Sequence, residues 1–167
     1  MTTYKEYLDK GIEELRTGDL DIALDNMNKS IELRNDWDIS YFYRAVVNQA
    51  LKNFDDAILD YTKALQINPK MTDAYYNRAD ILLSRKDIEN PDIERAVADL
   101  EKAIELDDKF VSALFAMGAA QKKLGNYNKA IEYLDRVLAI EPDAIMAKAL
   151  KKLILQKYIF QKRIATR

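Results

Sequence analysis

Apolar and small residues return along this chain with a long period. The stretch Asp55-Asp56-Ala57-Ile58-Leu59-Asp60-Tyr61 has close relatives in Asp21-Ile22-Ala23-Leu24-Asp25-Asn26-Met27, Glu94-Arg95-Ala96-Val97-Ala98-Asp99-Leu100 and Asn128-Lys129-Ala130-Ile131-Glu132-Tyr133-Leu134. Ala23 to Ala57 spans 34 residues, and so does Ala96 to Ala130, whereas 39 separate Ala57 from Ala96, which marks a five-residue insertion. Self-similarity at such a period is the signature of a repeat architecture. The pattern changes after residue 144. Over Ile145–Ala165, Met146, Leu150, Leu153, Ile154 and Ile164 fall on one stripe at helical spacing, which predicts a single helix with no partner helix of its own.

Further rows keep the same register. A small residue stands at Gly11, Ala45, Ala79 and Gly118, preceded by Tyr7, Tyr41, Tyr75 and, in the last block, Leu114. The alanine row is followed by Met27, Tyr61, Leu100 and Leu134, and then by Ser30, Ala64, Ala103 and Val137. Pro69 and Pro142 close two blocks, where Asn35 and Asp108 stand in the others. This arrangement resembles the tetratricopeptide-repeat (TPR) family, over roughly residues 4–144. The resemblance implies an all-α fold, a right-handed superhelical α-solenoid of antiparallel helix pairs. It forms a single domain, 1–167, with repeats at about 4–37, 38–71, 72–110 and 111–144 and a capping helix at 145–165. The small-residue row fits that expectation, because a larger side chain there would force paired helices apart. Gly18 and Gly125 suit the turns between paired helices, with Asn53 tolerable beside the equivalent turn. All four glycines are then accounted for, and none is left to cradle a phosphate.

Two rows depart from the family. Where its members carry Leu before the small residue, this chain has Lys10, Arg44, Arg78 and Met117; where they carry Tyr three residues after it, it has Glu14, Asn48, Leu82 and Gln121. Packing between neighbouring repeats is therefore expected to be looser or more polar than usual. The insertion falls at 86–92. Asn90 followed by Pro91 reads as a helix cap and first-turn proline, so the second helix of the third repeat should start about a turn early. The inserted segment is either a tolerated surface variation or a partner contact.

In the family, the first helices of successive repeats line a concave groove that holds a peptide or protein segment. By register, the groove of this chain would present Leu8, Phe42, Tyr76 and Phe115 as one ladder, with Tyr43 and Asn77 beside it. Ile12, Val46 and Asp80 follow one turn on, and Lys122 lies beyond. Exposed apolar patches of this kind mark binding surfaces, although the ladder rings could instead fill space between neighbouring helices. Members that grip the carboxylate tails of chaperones use Lys, Asn and Arg side chains. The matching positions here hold Leu8, Ile12, Tyr43, Asp73 and Asn77, and Asp73 would repel a carboxylate. A chaperone C-terminal tail is therefore not the expected ligand. The expected role is a protein–protein interaction module, an adaptor or assembly scaffold.

Composition narrows the chemistry. The chain has no cysteine and no histidine, which removes disulfides, thiolate chemistry, the commonest general base and the commonest transition-metal ligand. Ser30, Ser40, Ser84 and Ser112 have no histidine to activate them. No enzymatic activity and no cofactor is expected. The acidic clusters Asp19/Asp21/Asp25, Asp55/Asp56/Asp60 and Asp107/Asp108 lack the spacing and central Gly of a calcium loop, and most fall at helix starts, where carboxylates favour the dipole. The first fifteen residues have no continuous apolar stretch, and no segment approaches the ~18 apolar residues of a membrane span. A cytoplasmic address with no membrane insertion is the expectation.

Charge is uneven. Residues 145–167 carry seven basic side chains and no acid, against 19 basic and 28 acidic groups in the rest. The basic face is a solvated surface of the capping helix or a contact for an acidic partner, such as the body of another copy. Nucleic acid fits worse, because the body is acidic and no aromatic-basic module is visible. Leu155 and Ile159 fall off the main stripe among the lysines, which points to a homo-oligomer through 145–165 as the alternative reading.

Overall fold

The structure, a computed structural model, describes residues 2–84 and 90–165, with the side chains of 90–91 and 159–165 outside the description. Every regular element among them is helical. These are α1 (Tyr4–Thr17), α2 (Leu20–Leu33), α3 (Asp38–Ala50), α4 (Phe54–Ile67), α5 (Thr72–Ser84), α6 (Asn90–Leu106), α7 (Val111–Lys123), α8 (Tyr127–Ile140) and α9 (Ile145–Ala165). The chain divides into two compact units, Met1–Ile81 and Leu82–Arg167.

In the first unit α1 pairs with α2 and α3 with α4, and α2 packs on α3. One core joins Leu8, Ala23, Met27 and Val47. A second joins Ala45, Ala57, Tyr61, Leu65, Ala74 and Ile81, which brings α5 onto the α3/α4 pair. The small-residue row has the expected steric cause. A Cβ on Gly11 would stand 2.7 Å from Met27 Cε and 3.2 Å from the Ala23 carbonyl, so a side chain there would displace the end of Met27 and crowd the α2 backbone. Ser30, in the row that holds Ala64, Ala103 and Val137 elsewhere, is fully buried yet satisfied: its hydroxyl donates to the Tyr4 carbonyl and lies 2.8 Å from Ser40 Oγ. At the start of α3, Trp37 meets Tyr4 edge-on with ring centroids 4.8 Å apart. Thr3 and Glu6 cap α1 reciprocally, each side chain accepting from the other's backbone N–H.

The turns between paired helices follow one pattern with one substitution. Gly18 and Gly125 take left-handed φ values of 92° and 79°, and in the α3/α4 turn Lys52 does so at 65°. Asn53, the residue singled out from the sequence, has φ −81°. The left-handed position is one residue earlier, so a residue with a Cβ carries the strain there.

In the second unit α6 packs on α7, α7 pairs with α8, and α9 lies on α8 with a smaller contact to α7. Its core joins Leu114, Ala130, Leu134, Val137, Ala147 and Ile154. A Cβ on Gly118 would stand 3.1 Å from Leu134 Cγ, repeating the close approach made at Gly11. Relative to the alanine row α6 begins three residues sooner than α4, at Asn90 against Phe54, a turn earlier. Residues 85–89, which hold most of the insertion, lie outside the described residues.

The inward face of α9 differs from the stripe read in the sequence. Ala147 and Ile154 are buried and Leu150 is half-buried, while Met146 is 69% and Leu153 50% exposed. One residue is about 100° of helical rotation, so docking on α8 through Ala147 turns Met146 and Leu153 outward; Ile145 is also 78% exposed. Ile164 lies outside the described side chains. The basic face is partly spent internally. Lys151 pairs with Asp135, Lys148 lies 3.4 Å from Asp143, and Lys157 sits over the Tyr127 ring.

Candidate functional site

Helical spacing puts Phe42, Val46 and Gln49 on one face of α3, with Tyr43 beside them, and Tyr76, Asn77 and Asp80 on one face of α5. Tyr61 of α4 ties these faces together from below. Its ring is fully buried and meets Phe42 at 5.8 Å. Its hydroxyl donates to Gln49 Oε1 at 2.9 Å. Burial pushes the Tyr61 hydroxyl well above the ordinary phenol pKa; a hydrogen bond with Asn77 works against that, and the charge of Asp80 adds to it. Phe42 and Tyr43 stack edge to face at 5.4 Å. Phe42 and Val46 pack their inner edges against the Tyr61 core, and Tyr43 packs against the Val47 core. All three stay half-exposed, as do Tyr76, Asn77 and Asp80. Burial raises the Asp80 carboxyl above its usual value.

The remaining expected groove residues separate into three outcomes. Leu8 is corrected: at 3% exposure it belongs to the core with Met27 and Val47 and offers no surface to a ligand. At that register α1 needs a large apolar residue to seal it against α2 and α3. Ile12 is half-buried on the same core. Phe115 and Lys122 lie in the second unit. Phe115 packs against the Leu114–Leu134 core and Lys122 is half-buried on the same helix.

Sequence reasoning missed Tyr61 as part of this site. In its row the other repeats carry Met27, Leu100 and Leu134. A lone hydroxyl in an otherwise aliphatic row must find a polar partner when buried, and that requirement was the available signal.

The polar departures also resolve. Arg44 grips Asp60 with two hydrogen bonds of 2.7 and 2.8 Å and reaches Asn28 Oδ1 of α2 at 2.9 Å; Asn48 adds a bond to Asp60. The Asp60 hydrogen bond is the main cause that raises the Arg44 pKa. Arg78 repeats the cross-repeat contact, donating to Thr62 Oγ1 at 2.8 Å. A cavity of about 360 Å³ opens beside Arg44, lined by Leu24, Asn28, Asn48, Asp56, Leu59 and Asp60. Polar packing between the first two helix pairs is thus realised with every partner satisfied.

Two family models match the chain. One, the tetratricopeptide repeat, covers residues 39–71 and so the α3/α4 pair; the other, the Fis1 C-terminal tetratricopeptide repeat, covers 112–159, from α7 into α9. The fold is that of tetratricopeptide repeats. Solved TPR-like structures agree. A crystal structure of MamA protein superposes with a TM-score of 0.86 at 20% identity, over 98% of this chain and 86% of that one. The crystal structure of YrrB, a TPR protein with an unusual peptide-binding site, gives 0.80 at 19% identity, over 94% and 77%. At such identities the likeness concerns fold alone. Among curated proteins, human sperm-associated antigen 1 is 35% identical over 97 residues, which is 58% of this chain and 10% of that protein. The chain thus spans about a tenth of the length of that relative. Among the described residues no three His, Cys, Asp or Glu side chains gather to hold a metal ion, and no helix is long and apolar enough to cross a membrane.

Proposed function

We propose that this TPR chain is a protein–protein interaction module, an adaptor or assembly scaffold that takes a peptide or protein segment on the α3/α5 face. The observation that carries the reading is the half-exposed set Phe42, Tyr43, Val46 and Tyr76, beside the hydrogen-bonding Asn77. Large rings and aliphatics held rigidly at one edge and open at the other are the residues that dominate interfaces. YrrB, a TPR protein of the same fold with an unusual peptide-binding site, adds support. The reading includes four tandem repeats closed by α9. It also includes Ile12, Phe115 and Lys122 as further contacts and a cytoplasmic address, which fractionation would test. A chaperone carboxylate tail is a poor guest, since Asp73 and Asp80 are acidic where such a tail needs cations. Binding rather than catalysis fits the hydroxyls: Ser30 and Ser40 are buried and bonded to each other.

Affinity capture from source lysate, with mass spectrometry, tests the assignment. Partners retained by the full chain should be lost by Phe42→Ala with Tyr76→Ala at unchanged helicity, and retention by the double variant would remove the α3/α5 face from the proposal.

A second reading, self-assembly through α9, is favoured by the outward Ile145, Met146 and Leu153. Light scattering would then give a mass above the monomer that falls in Met146→Glu with Leu153→Glu. A monomer at all concentrations for the unaltered chain ends that reading.

A further inference from the structure

Asp60 and Asp80, a buried and a half-buried carboxylate of the first unit, are treated differently. Asp60 is held by both nitrogens of the Arg44 fork and by Asn48. Asp80 on α5 has no such arrangement: among the described residues, none hydrogen-bonds or ion-pairs with its carboxylate. The polar neighbours are committed elsewhere. Tyr61 gives its proton to Gln49, and Asn77 is hydrogen-bonded to Tyr61. A half-buried carboxylate without a partner is costly. Burial raises its proton affinity, in keeping with that cost. The same face carries Tyr76, one turn before Asp80, with the edge-to-face pair Phe42–Tyr43 on α3.

These features call for one kind of group. It must bring N–H donors and a positive charge to a carboxylate, and it must tolerate or prefer aromatic surroundings. Guanidinium and ammonium side chains do both, the first by a two-pronged hydrogen bond and each by attraction to ring faces. A metal ion does not fit, because no set of three acidic ligands gathers among the described residues.

We propose that the α3/α5 face recognises its guest through a basic side chain, arginine or lysine, whose charge lands on Asp80 while flanking apolar residues of the guest cover Phe42, Tyr43 and Val46. This rests on the groove reading above and adds the chemistry of the ligand to it. The guest's cation then does for Asp80 what Arg44 does for Asp60, supplying the charged partner that Asp80 lacks among the described residues.

The test is selection from a phage-displayed library of random short peptides on the immobilised full chain, in parallel with Asp80→Asn and with Asp21→Asn, an exposed acid on α2 away from the α3/α5 face. The unaltered chain and Asp21→Asn should return pools enriched in Arg or Lys, and Asp80→Asn should not. A basic peptide synthesised from the first pool should bind Asp80→Asn at least about tenfold more weakly. Exchanging its basic residue for norleucine should cost the unaltered chain a similar factor and Asp80→Asn nothing further. NMR of the Asp80 carboxyl carbon in the unaltered chain gives an answer that does not depend on the variant folding: the signal should move with the basic peptide and stay with its norleucine counterpart. Pools without basic enrichment, enrichment that survives in Asp80→Asn, or an unmoved carboxyl signal overturns the proposal. In those cases the groove reading stands if Phe42→Ala with Tyr76→Ala abolishes binding of the selected peptides. Retention of no peptide by the unaltered chain overturns both.

Discussion

The α3/α4 and α7/α8 pairs share one register and are filled in opposite ways. Where the first has Arg44, Asp60 and Tyr61, the second has Met117, Tyr133 and Leu134. Arg44 and Asp60 make a charged fork that also catches Asn28 of the preceding helix pair, while Met117 and Leu134 are fully buried apolar side chains. Even the polar residue they share in kind behaves differently. Asn48 donates to Asp60, but Gln121 turns to the Met117 sulfur and accepts from Asn126 in the following turn. What does not vary is the small residue, Ala45 or Gly118, under which the helices close. The repeat thus fixes distance and leaves chemistry free, provided each buried polar group is matched.

The comparison can be broken most severely at the fork. Arg44→Met leaves Asp60 buried without its cation and should cost about 3 kcal/mol in urea unfolding, whereas adding Asp60→Tyr converts the pair to the α7/α8 filling and should recover most of the loss. A double variant as unstable as the single one would show that the polar filling is obligatory. Next comes Gly118→Val, whose Cβ would press on Leu134 Cγ at 3.1 Å; the expected loss is about 2 kcal/mol, after the gain from a less flexible backbone. In the turns, Lys52→Gly gives α3/α4 the residue type that α7/α8 has at Gly125 and should stabilise by about 1 kcal/mol. The smallest effect belongs to Asp80→Asn. Burial raises the folded-state pKa of Asp80, so the ionised form destabilises the fold above that raised value and costs nothing below the ordinary 3.8. The variant should therefore be the more stable one at pH 7, with an advantage that fades as pH falls toward 4. A constant advantage would assign the effect to something other than ionisation.

Most of the fold was legible because sterics repeat. Gly11 and Gly118 stand where a Cβ would crowd the facing helix, and the alanine row opposite them, Ala23 to Ala57 and Ala96 to Ala130, keeps 34-residue spacing on either side of the insertion. The site was legible only in part. Phe42, Tyr43, Val46, Tyr76, Asn77 and Asp80 are half-buried, which leaves each an open edge for the proposed role, but Leu8 is buried, because register fixes which face of α1 a residue occupies and not how deeply the next helix covers it. The face of α9 was misread for a related reason. Its sequence offers apolar residues on several sides, and only the docking on α8 selects Ala147, Leu150 and Ile154 over Met146 and Leu153. Tyr61 was read as packing alone; that its oxygen reaches Gln49 and Asn77 depends on the spacing between α3 and α5, which no single helix encodes.

The packing of Trp37 against Tyr4 has an optical consequence. It is the only indole in a chain with ten phenols, and it lies wholly within the first unit. Excited at the red edge of aromatic absorption, its emission follows the loss of that one neighbourhood, while far-ultraviolet ellipticity follows every helix. A single titrated sample, read both ways, therefore reveals whether the two halves melt in step or in sequence, with no label attached.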